Sequence, residues 1–266
     1  MLKRSIIFEI KRAVHETGFK LSLFLGMTIS LLDIYFYYQN FYGEKDRILI
    51  QAWLGTDFQF AYNLLFYVTL PILACLPYAG SYYQDITNGY DKNVLLRIPR
   101  STYLVAKIAA VYMTAFLAVT IPLAVNLFIC AGLYRNECPD ILAFTSAGVG
   151  DCNLFPIIFN ENPVRYCLLY ILINGLFAGA LGILSMVVAR WVRSTFTAIM
   201  TPFACYIIAD WIMVDNTAGA SNALMQMLNP LQNYVVTYKA MILTYILMVA
   251  GSIIMIWIQG RKRDVL

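Results

Sequence analysis

Charged residues are scarce in this chain. They make up 13% of its 266 residues, whereas 61% of the residues are hydrophobic and the mean hydropathy is +0.68. Soluble globular domains carry about 25% charged residues. About half that proportion cannot cover a water-exposed surface of this size. The composition therefore excludes an ordinary soluble protein and predicts an integral membrane protein.

Catalytic and nucleotide-binding motifs are also missing. The chain has one histidine, His15, and contains no G-x-x-x-x-G-K-[ST] phosphate loop, no H-E-x-x-H pair and no G-x-S-x-G motif. These patterns hold nucleotide phosphates, a catalytic zinc ion or a nucleophilic serine. No Cys and His residues have the spacing of metal ligands. We therefore expect no catalytic residue, no metal site and no cofactor bound by this chain, and no nucleic-acid partner.

The chain contains long apolar segments with few charged residues. A membrane-spanning helix needs about 20 mostly apolar residues. Six segments meet this requirement, namely 19–38, 60–83, 104–133, 166–189, 196–214 and 241–259. We predict an all-α integral membrane protein with six transmembrane helices, which form a single transmembrane domain over residues 1–266.

The distribution of basic residues predicts the orientation. If the N-terminus lies inside and the spans alternate, most of the 19 Lys and Arg residues fall on the inner side. Lys and Arg accumulate on the cytoplasmic side of membrane proteins because they resist translocation. Both termini and the polar segment 83–103 are therefore predicted to be cytoplasmic, whereas segments 39–59, 134–165 and 215–236 are predicted to lie outside.

Residues 1–18 are predicted to form a helix of their own before the first span. At about 100° per residue, apolar residues such as Ile6 and Ile10 share one arc, and polar residues such as Arg4, Arg12 and His15 share the other. This pattern is typical of an amphipathic helix in the inner membrane interface, with its basic residues toward anionic lipid. A plain topology anchor is the alternative.

Two further features of the apolar runs bear on packing. Asp33 lies about 8 Å inside the outer end of the first span, and we expect it to reach the outer headgroups or, alternatively, to line a polar path. Gly175 and Gly179 are one helical turn apart, a spacing that lets two helices approach closely. Their partner could lie within the chain or in a second copy.

The polar segments have distinct features. In segment 83–103, one or two short helices are expected over residues 85–98, with a break at Gly89. Segment 134–165 contains Cys138 and Cys152, which face the oxidising side, so a disulfide between them is available. Segment 215–236 is too polar to span the membrane. Its residues 223–228 are predicted to form a short outer helix that ends at Asn229-Pro230.

The loop after the second predicted span carries a recognisable pattern. It contains an acidic residue, a glycine four residues later, a Leu-Leu pair, a Pro-Arg-Ser turn and a lysine; these residues are Asp85, Gly89, Leu95-Leu96, Pro99-Arg100-Ser101 and Lys107. Together with the N-terminal helix, the six spans and the Asn-Pro break, this pattern resembles permease subunits of type-2 ABC exporters. The acidic position is usually Glu in that family, so Asp85 is a departure. The chain looks most similar to bacterial exporters of amphipathic peptides, of the phenol-soluble modulin or lantibiotic type.

This resemblance implies an exporter permease in the bacterial plasma membrane. The permease would pair with a second permease copy, identical or related, and bind a cytoplasmic ATP-binding ABC subunit, which would hold the ATP and Mg. A coupling helix in segment 83–103 would meet the ATPase, with the coupling residues Asp85, Gly89, Arg97, Arg100 and Lys107. Outer half-helices in 215–236 would seal the exit, with Asn229 and Pro230 at the extracellular gate. The substrate would be an amphipathic peptide.

Other functions fit the same residues. Related permeases move lipids or small-molecule drugs, and a non-transporting immunity or sensor protein would need no coupling loop. A channel or a lipid-handling accessory protein has the same composition. The substrate, the direction of transport and the helix faces that line the path do not follow from the sequence.

Overall fold

The computed structural model describes residues 2–40, 48–56, 61–78, 80–136, 154–192, 194–215, 220–230 and 235–261. These residues are almost entirely helical. The helices are α1 (Leu2–His15), α2 (Thr17–Asn40), α3 (Leu49–Ala52), α4 (Ala61–Cys75), α5 (Ser81–Thr87), α6 (Tyr90–Leu95), α7 (Arg100–Leu133), α8 (Pro156–Glu161), α9 (Pro163–Val192), α10 (Thr195–Met213), α11 (Leu224–Leu228) and α12 (Tyr238–Arg261). One short antiparallel ladder pairs β1 (Val214–Asp215) with β2 (Ala220–Ser221).

Five helices in the described part of the chain are long and apolar enough to cross a membrane: α2, α7, α9, α10 and α12. The prediction of a helical multi-pass membrane protein is confirmed at this level. In its described residues, the second predicted span, 60–83, contains the 15-residue helix α4 and the first three residues of α5. At about 1.5 Å per residue, α4 is shorter than a bilayer core of about 30 Å. The count of six spans therefore stays a prediction.

Helix α9 lies at the centre of the molecule and packs most closely on α7. The glycines of α9 make this approach possible. A Cβ atom at Gly179 would lie 2.5 Å from Cε2 of Tyr112, and one at Gly182 would lie 2.8 Å from Cβ of Ala115. Gly175 faces Thr120 and Phe116 in the same way. The partner of the closely spaced glycines is therefore α7 of the same chain.

Residues 48–56 depart from the predicted outer loop, because every one of them is buried. Trp53 and Leu54 have no exposed surface, and the indole of Trp53 donates a hydrogen bond to the carbonyl of Leu123 at 3.3 Å. The backbone amide of Leu54 donates to Oδ1 of Asn126 at 3.0 Å, and Nδ2 of Asn63 donates to the Leu54 carbonyl at 2.9 Å. Side-chain amides therefore satisfy the backbone N–H and C=O groups of Leu54, which follows α3, within the protein, as a buried turn requires.

Asp33 does not reach the headgroups, and that expectation was wrong. The side chain is 1% exposed, and its Oδ2 accepts a hydrogen bond from Nδ2 of Asn126 at 2.9 Å. The same Asn126 amide donates to the carbonyl of Ser30 at 3.1 Å. Asp33 therefore lies in a buried polar contact between α2 and α7.

The segment 215–236 contains one five-residue helix, α11, in its described residues, rather than a pair of half-helices. This helix ends at Leu228, directly before the Asn229-Pro230 step, as predicted. Nδ2 of Asn229 donates to Oδ1 of Asn63 at 3.2 Å, and the hydroxyl of Tyr166 donates to the carbonyl of Pro230 at 3.2 Å. The predicted Cys138–Cys152 disulfide lies outside the described residues.

Candidate functional site

The candidate site lies where α1, the turn after α4, α5 and the start of α7 meet. Helix α1 packs along α7, and α5 packs on α9. Helix α4 ends at Cys75, two residues before Pro77, and the chain then turns through Tyr78 into α5. On α7, Tyr103 and Lys107 are four residues apart and therefore share one face. The four elements together bring six polar side chains into one buried cluster.

Asp85 on α5 is the first centre of this cluster. Its side chain is 1% exposed and is held by three residues from two other elements. Nη2 of Arg12 donates to Oδ1 at 2.6 Å and Nη1 donates to Oδ2 at 3.2 Å, so the guanidinium binds both oxygens. Lys107 Nζ and the hydroxyl of Tyr103 donate to Oδ2 at 2.6 and 2.8 Å. The carboxylate thus ties α5 to α1 and to α7.

Lys107 on α7 is the second centre, and it has no exposed surface. Its ammonium donates to Asp85 at 2.6 Å, to the hydroxyl of Tyr78 at 3.1 Å and to Oε2 of Glu9 at 3.3 Å. The Tyr78 hydroxyl in turn donates to the same Glu9 oxygen at 2.9 Å. An ammonium has three donors, and all three are used. We refer to Glu9, Arg12, Tyr78, Asp85, Tyr103 and Lys107 as the ion cluster.

The ion cluster contains two carboxylates and two cations, so its formal charge is balanced. Burial by itself would raise the pKa of the Asp85 carboxyl, but the hydrogen bonds from Arg12 and the charge of Lys107 outweigh burial and lower this pKa. For the Arg12 guanidinium, burial by itself would lower the pKa. The hydrogen bond to Asp85 and the nearby negative charges outweigh burial and raise the pKa of Arg12. Asp85 and Arg12 therefore both stay charged at neutral pH.

The arrangement can hold α1, the turn at Tyr78, α5 and α7 together. Every charged member is engaged by an opposite charge, and in the described residues no group of three His, Cys, Asp or Glu side chains could hold a metal ion. Breaking a buried ion pair by removing one partner typically costs about 3–5 kcal/mol, because the other charge is left uncompensated. The ion pairs of Asp85 with Arg12 and Lys107 therefore fasten α5 to α1 and α7.

The structure places the predicted coupling residues in two groups. Asp85 and Lys107 are joined at 2.6 Å and buried, so neither contacts a partner directly in this conformation. Arg97 is exposed, and Arg100 is half-buried at the first residue of α7. Gly89 separates α5 from α6 with a φ of 68°, a backbone conformation that favours glycine. Asn229 and Pro230 lie outside this cluster, beside α4 and α9.

Four members of the ion cluster were not predicted. Arg12 was assigned to a polar face toward lipid, but it binds Asp85. Glu9 lies on the same polar arc, but it is 3% exposed. Tyr78 and Tyr103 were not singled out. One signal was available in the sequence: Glu9 is an acidic residue in a basic segment, and it lies one turn from Arg12.

The fold and the site define a multi-pass helical membrane protein whose N-terminal helix is tied to a polar loop and a long spanning helix by buried ion pairs. The chain belongs to the DUF2705 family, described as a protein of unknown function, whose sequence pattern matches residues 22–266. The match begins within α2 and does not include Glu9 or Arg12. Comparison with curated proteins and with solved structures gives no match.

Proposed function

We propose that this chain is the permease subunit of a type-2 ABC exporter, which moves an amphipathic substrate out of the cell with energy from a separate ATPase. The observation that carries the proposal is the folded segment 83–103. Its first short helix, α5, is held to α1 and α7 by the ion cluster, whereas Leu96, directly after the second short helix, is 86% exposed. An exposed apolar side chain on a segment that the ion cluster holds in place is suited to contact with another protein.

The ATP-binding subunit docks on the turn between α6 and α7. Leu95 and Leu96 provide the apolar contact, and Arg97 and Arg100 provide charge at its edge. Asp85 and Lys107 act behind this surface, because their short ion pair makes α5 and α7 move as one body. ATP and Mg bind to the partner, since this chain has no phosphate loop. Movement of the docked turn therefore tilts α7.

The rest of the proposal follows the same family pattern. Six spans, with α4 as the second, place both termini in the cytoplasm of a bacterial cell, and two permease copies form the path. Asn229 and Pro230 close its outer end through their contacts with Asn63 and Tyr166. The substrate is an amphipathic peptide. A lipid or a drug as substrate, and a non-transporting immunity or sensor protein, are the competing outcomes.

Co-purification tests the partner. We expect a tagged chain to retain an ATP-binding subunit, identified by its own phosphate loop, when the two are expressed together. Leu96→Asp should reduce the retained ATPase at least about tenfold, because it puts a charge at the centre of the apolar contact. Ile157→Asp is the matched control, since Ile157 is 72% exposed and lies on the short helix α8, away from this turn. Equal retention by both variants would contradict this docking surface.

Substrate-stimulated ATPase activity tests the transported molecule. In reconstituted vesicles, amphipathic peptides should stimulate hydrolysis, and lipids and small drugs should not. Asp85→Lys should abolish the stimulation while the ATPase stays bound, because the ion cluster loses its central carboxylate. If only lipids or small drugs stimulate ATP hydrolysis, the proposal of a peptide substrate is wrong. Failure of any ATPase to bind would leave the non-transporting protein as the better account.

A further inference from the structure

A groove separates α1 from α6 and from the start of α7. Its volume is about 550 Å³, and its lining combines two arginines with apolar and aromatic side chains. The residues that matter for its chemistry are Arg4, Phe8, Val94, Arg97 and Ile98. The groove lies next to the ion cluster, with which it shares Glu9 and Tyr103.

The two arginines give the groove a net positive charge. Glu9 is the acidic residue in its lining, but its carboxylate already accepts from Lys107 and Tyr78 inside the ion cluster. The cluster is balanced in itself, so it contributes no surplus negative charge. In the described part of the chain, no carboxylate forms an ion pair with Arg4 or Arg97. A ligand with negative charge would complement both.

The surroundings of the groove point to the membrane as the source of that ligand. On α1, Leu2, Ile7 and Phe8 are 44%, 46% and 57% exposed, although this helix is packed against a spanning helix. Exposed apolar side chains beside basic ones are typical of a helix in the interfacial layer of a membrane. Basic pockets beside spanning helices bind anionic lipid headgroups. A water-soluble acidic protein would not require the apolar side chains that line the groove, Phe8, Val94 and Ile98.

We propose that this groove binds one anionic phospholipid. Arg4 and Arg97 hold its phosphate and negatively charged headgroup, and Phe8, Val94 and Ile98 contact the upper part of its acyl chains. The lipid then bridges α1 and the segment between α6 and α7, next to the ion cluster. This proposal does not depend on transport or on an ATPase partner.

Native mass spectrometry of the full chain in detergent, titrated with phosphatidylglycerol or with phosphatidylcholine of the same acyl chains, tests the proposal. We expect one phosphatidylglycerol to bind at least about tenfold more tightly than phosphatidylcholine. From the typical contribution of a basic residue near an anionic headgroup, Arg4→Gln or Arg97→Gln should weaken phosphatidylglycerol binding about fivefold, and the double variant about thirtyfold. Binding of phosphatidylcholine should not change.

The matched control is the double variant Arg165→Gln/Lys239→Gln, which also removes two exposed positive charges, but at the start of α9 and of α12. It should bind phosphatidylglycerol as the unmodified chain does. Equal affinity for the two lipids, or equal losses in the two double variants, would overturn the proposal. Competition by free glycerol phosphate at the concentration of the lipid would also overturn it, because the acyl contacts would then contribute nothing. Arg4 and Arg97 are exposed, and size-exclusion profiles should confirm that all variants stay folded.

Discussion

Lys107 offers the most direct test of the ion cluster. Lys107→Met keeps an unbranched side chain of similar length and removes the ammonium that donates to Glu9, Tyr78 and Asp85. Two carboxylates then face one remaining cation, Arg12. Solvent cannot compensate the lost charge, because position 107 is fully buried. Removal of one partner from a buried ion pair typically costs about 3–5 kcal/mol. We expect the free energy of unfolding to fall by that amount.

Unfolding in mixed micelles, followed by far-UV circular dichroism as the denaturing detergent is increased, measures this loss. Lys20→Met is the control, because Lys20 is exposed at the start of α2 and forms no ion pair in the described residues. It should change the free energy of unfolding by less than about 0.5 kcal/mol. If α1 detaches before the rest unfolds, limited trypsin digestion should release it from Lys107→Met alone.

The double variant Glu9→Gln/Lys107→Met separates charge from packing. Removing the Glu9 carboxylate restores the balance between Asp85 and Arg12, so part of the loss should be recovered. Residues in direct contact typically couple by about 0.5–3 kcal/mol. The double variant should therefore be more stable than the sum of the two single losses predicts. Strict additivity, or a Lys107→Met loss below about 1 kcal/mol, would refute the argument that charge compensation holds the cluster together.

Two further predictions concern packing and pH. Gly182→Leu should lower the free energy of unfolding by about 1–3 kcal/mol, because its Cβ would meet that of Ala115 at 2.8 Å, whereas Gly251→Leu, with nothing within 4 Å of its Cβ, should not. Equal losses would contradict the close packing of α9 on α7. The lowered pKa of Asp85 means that its contribution is complete above the unfolded value of about 3.9 and is lost as pH falls through the lower folded value. Stability should thus be similar at pH 7 and 5 and fall below about pH 4, and the Asp85→Asn variant should show a smaller fall.

Several local features were predictable because they depend on neighbouring residues alone. Gly89 breaks segment 83–103 into two helices since the turn requires a positive φ. The predicted turn at Pro99-Arg100-Ser101 was wrong in extent, because α7 already begins at Arg100, directly after Pro99. The Asn229-Pro230 step ends α11 for a similar reason. The length of α4 was predicted less well, because hydropathy continues past the point at which Pro77 interrupts the helix.

The candidate site could be predicted only in part. The loop pattern indicated Asp85 and Lys107 but gave them a role at the surface, whereas both are buried. Amphipathicity placed Arg12 toward lipid, because a helical wheel shows which residues share an arc and not what each arc meets. The buried carboxylate of Asp85 needs a compensating positive charge. Arg12 provides it from a helix that is 73 residues away in the chain.

By itself, the sequence determined that this is a helical multi-pass membrane protein, since hydropathy summed over about 20 residues is enough to predict where a helix can enter a bilayer. It also determined where the short helices break. The tertiary structure alone decided that Gly175 and Gly179 pack within the chain, that Asp33 meets Asn126 and that residues 48–56 are buried. The physical reason is the same in each case: a buried polar or small residue is satisfied by whichever partner the fold brings within about 3 Å, and that partner is distant in sequence.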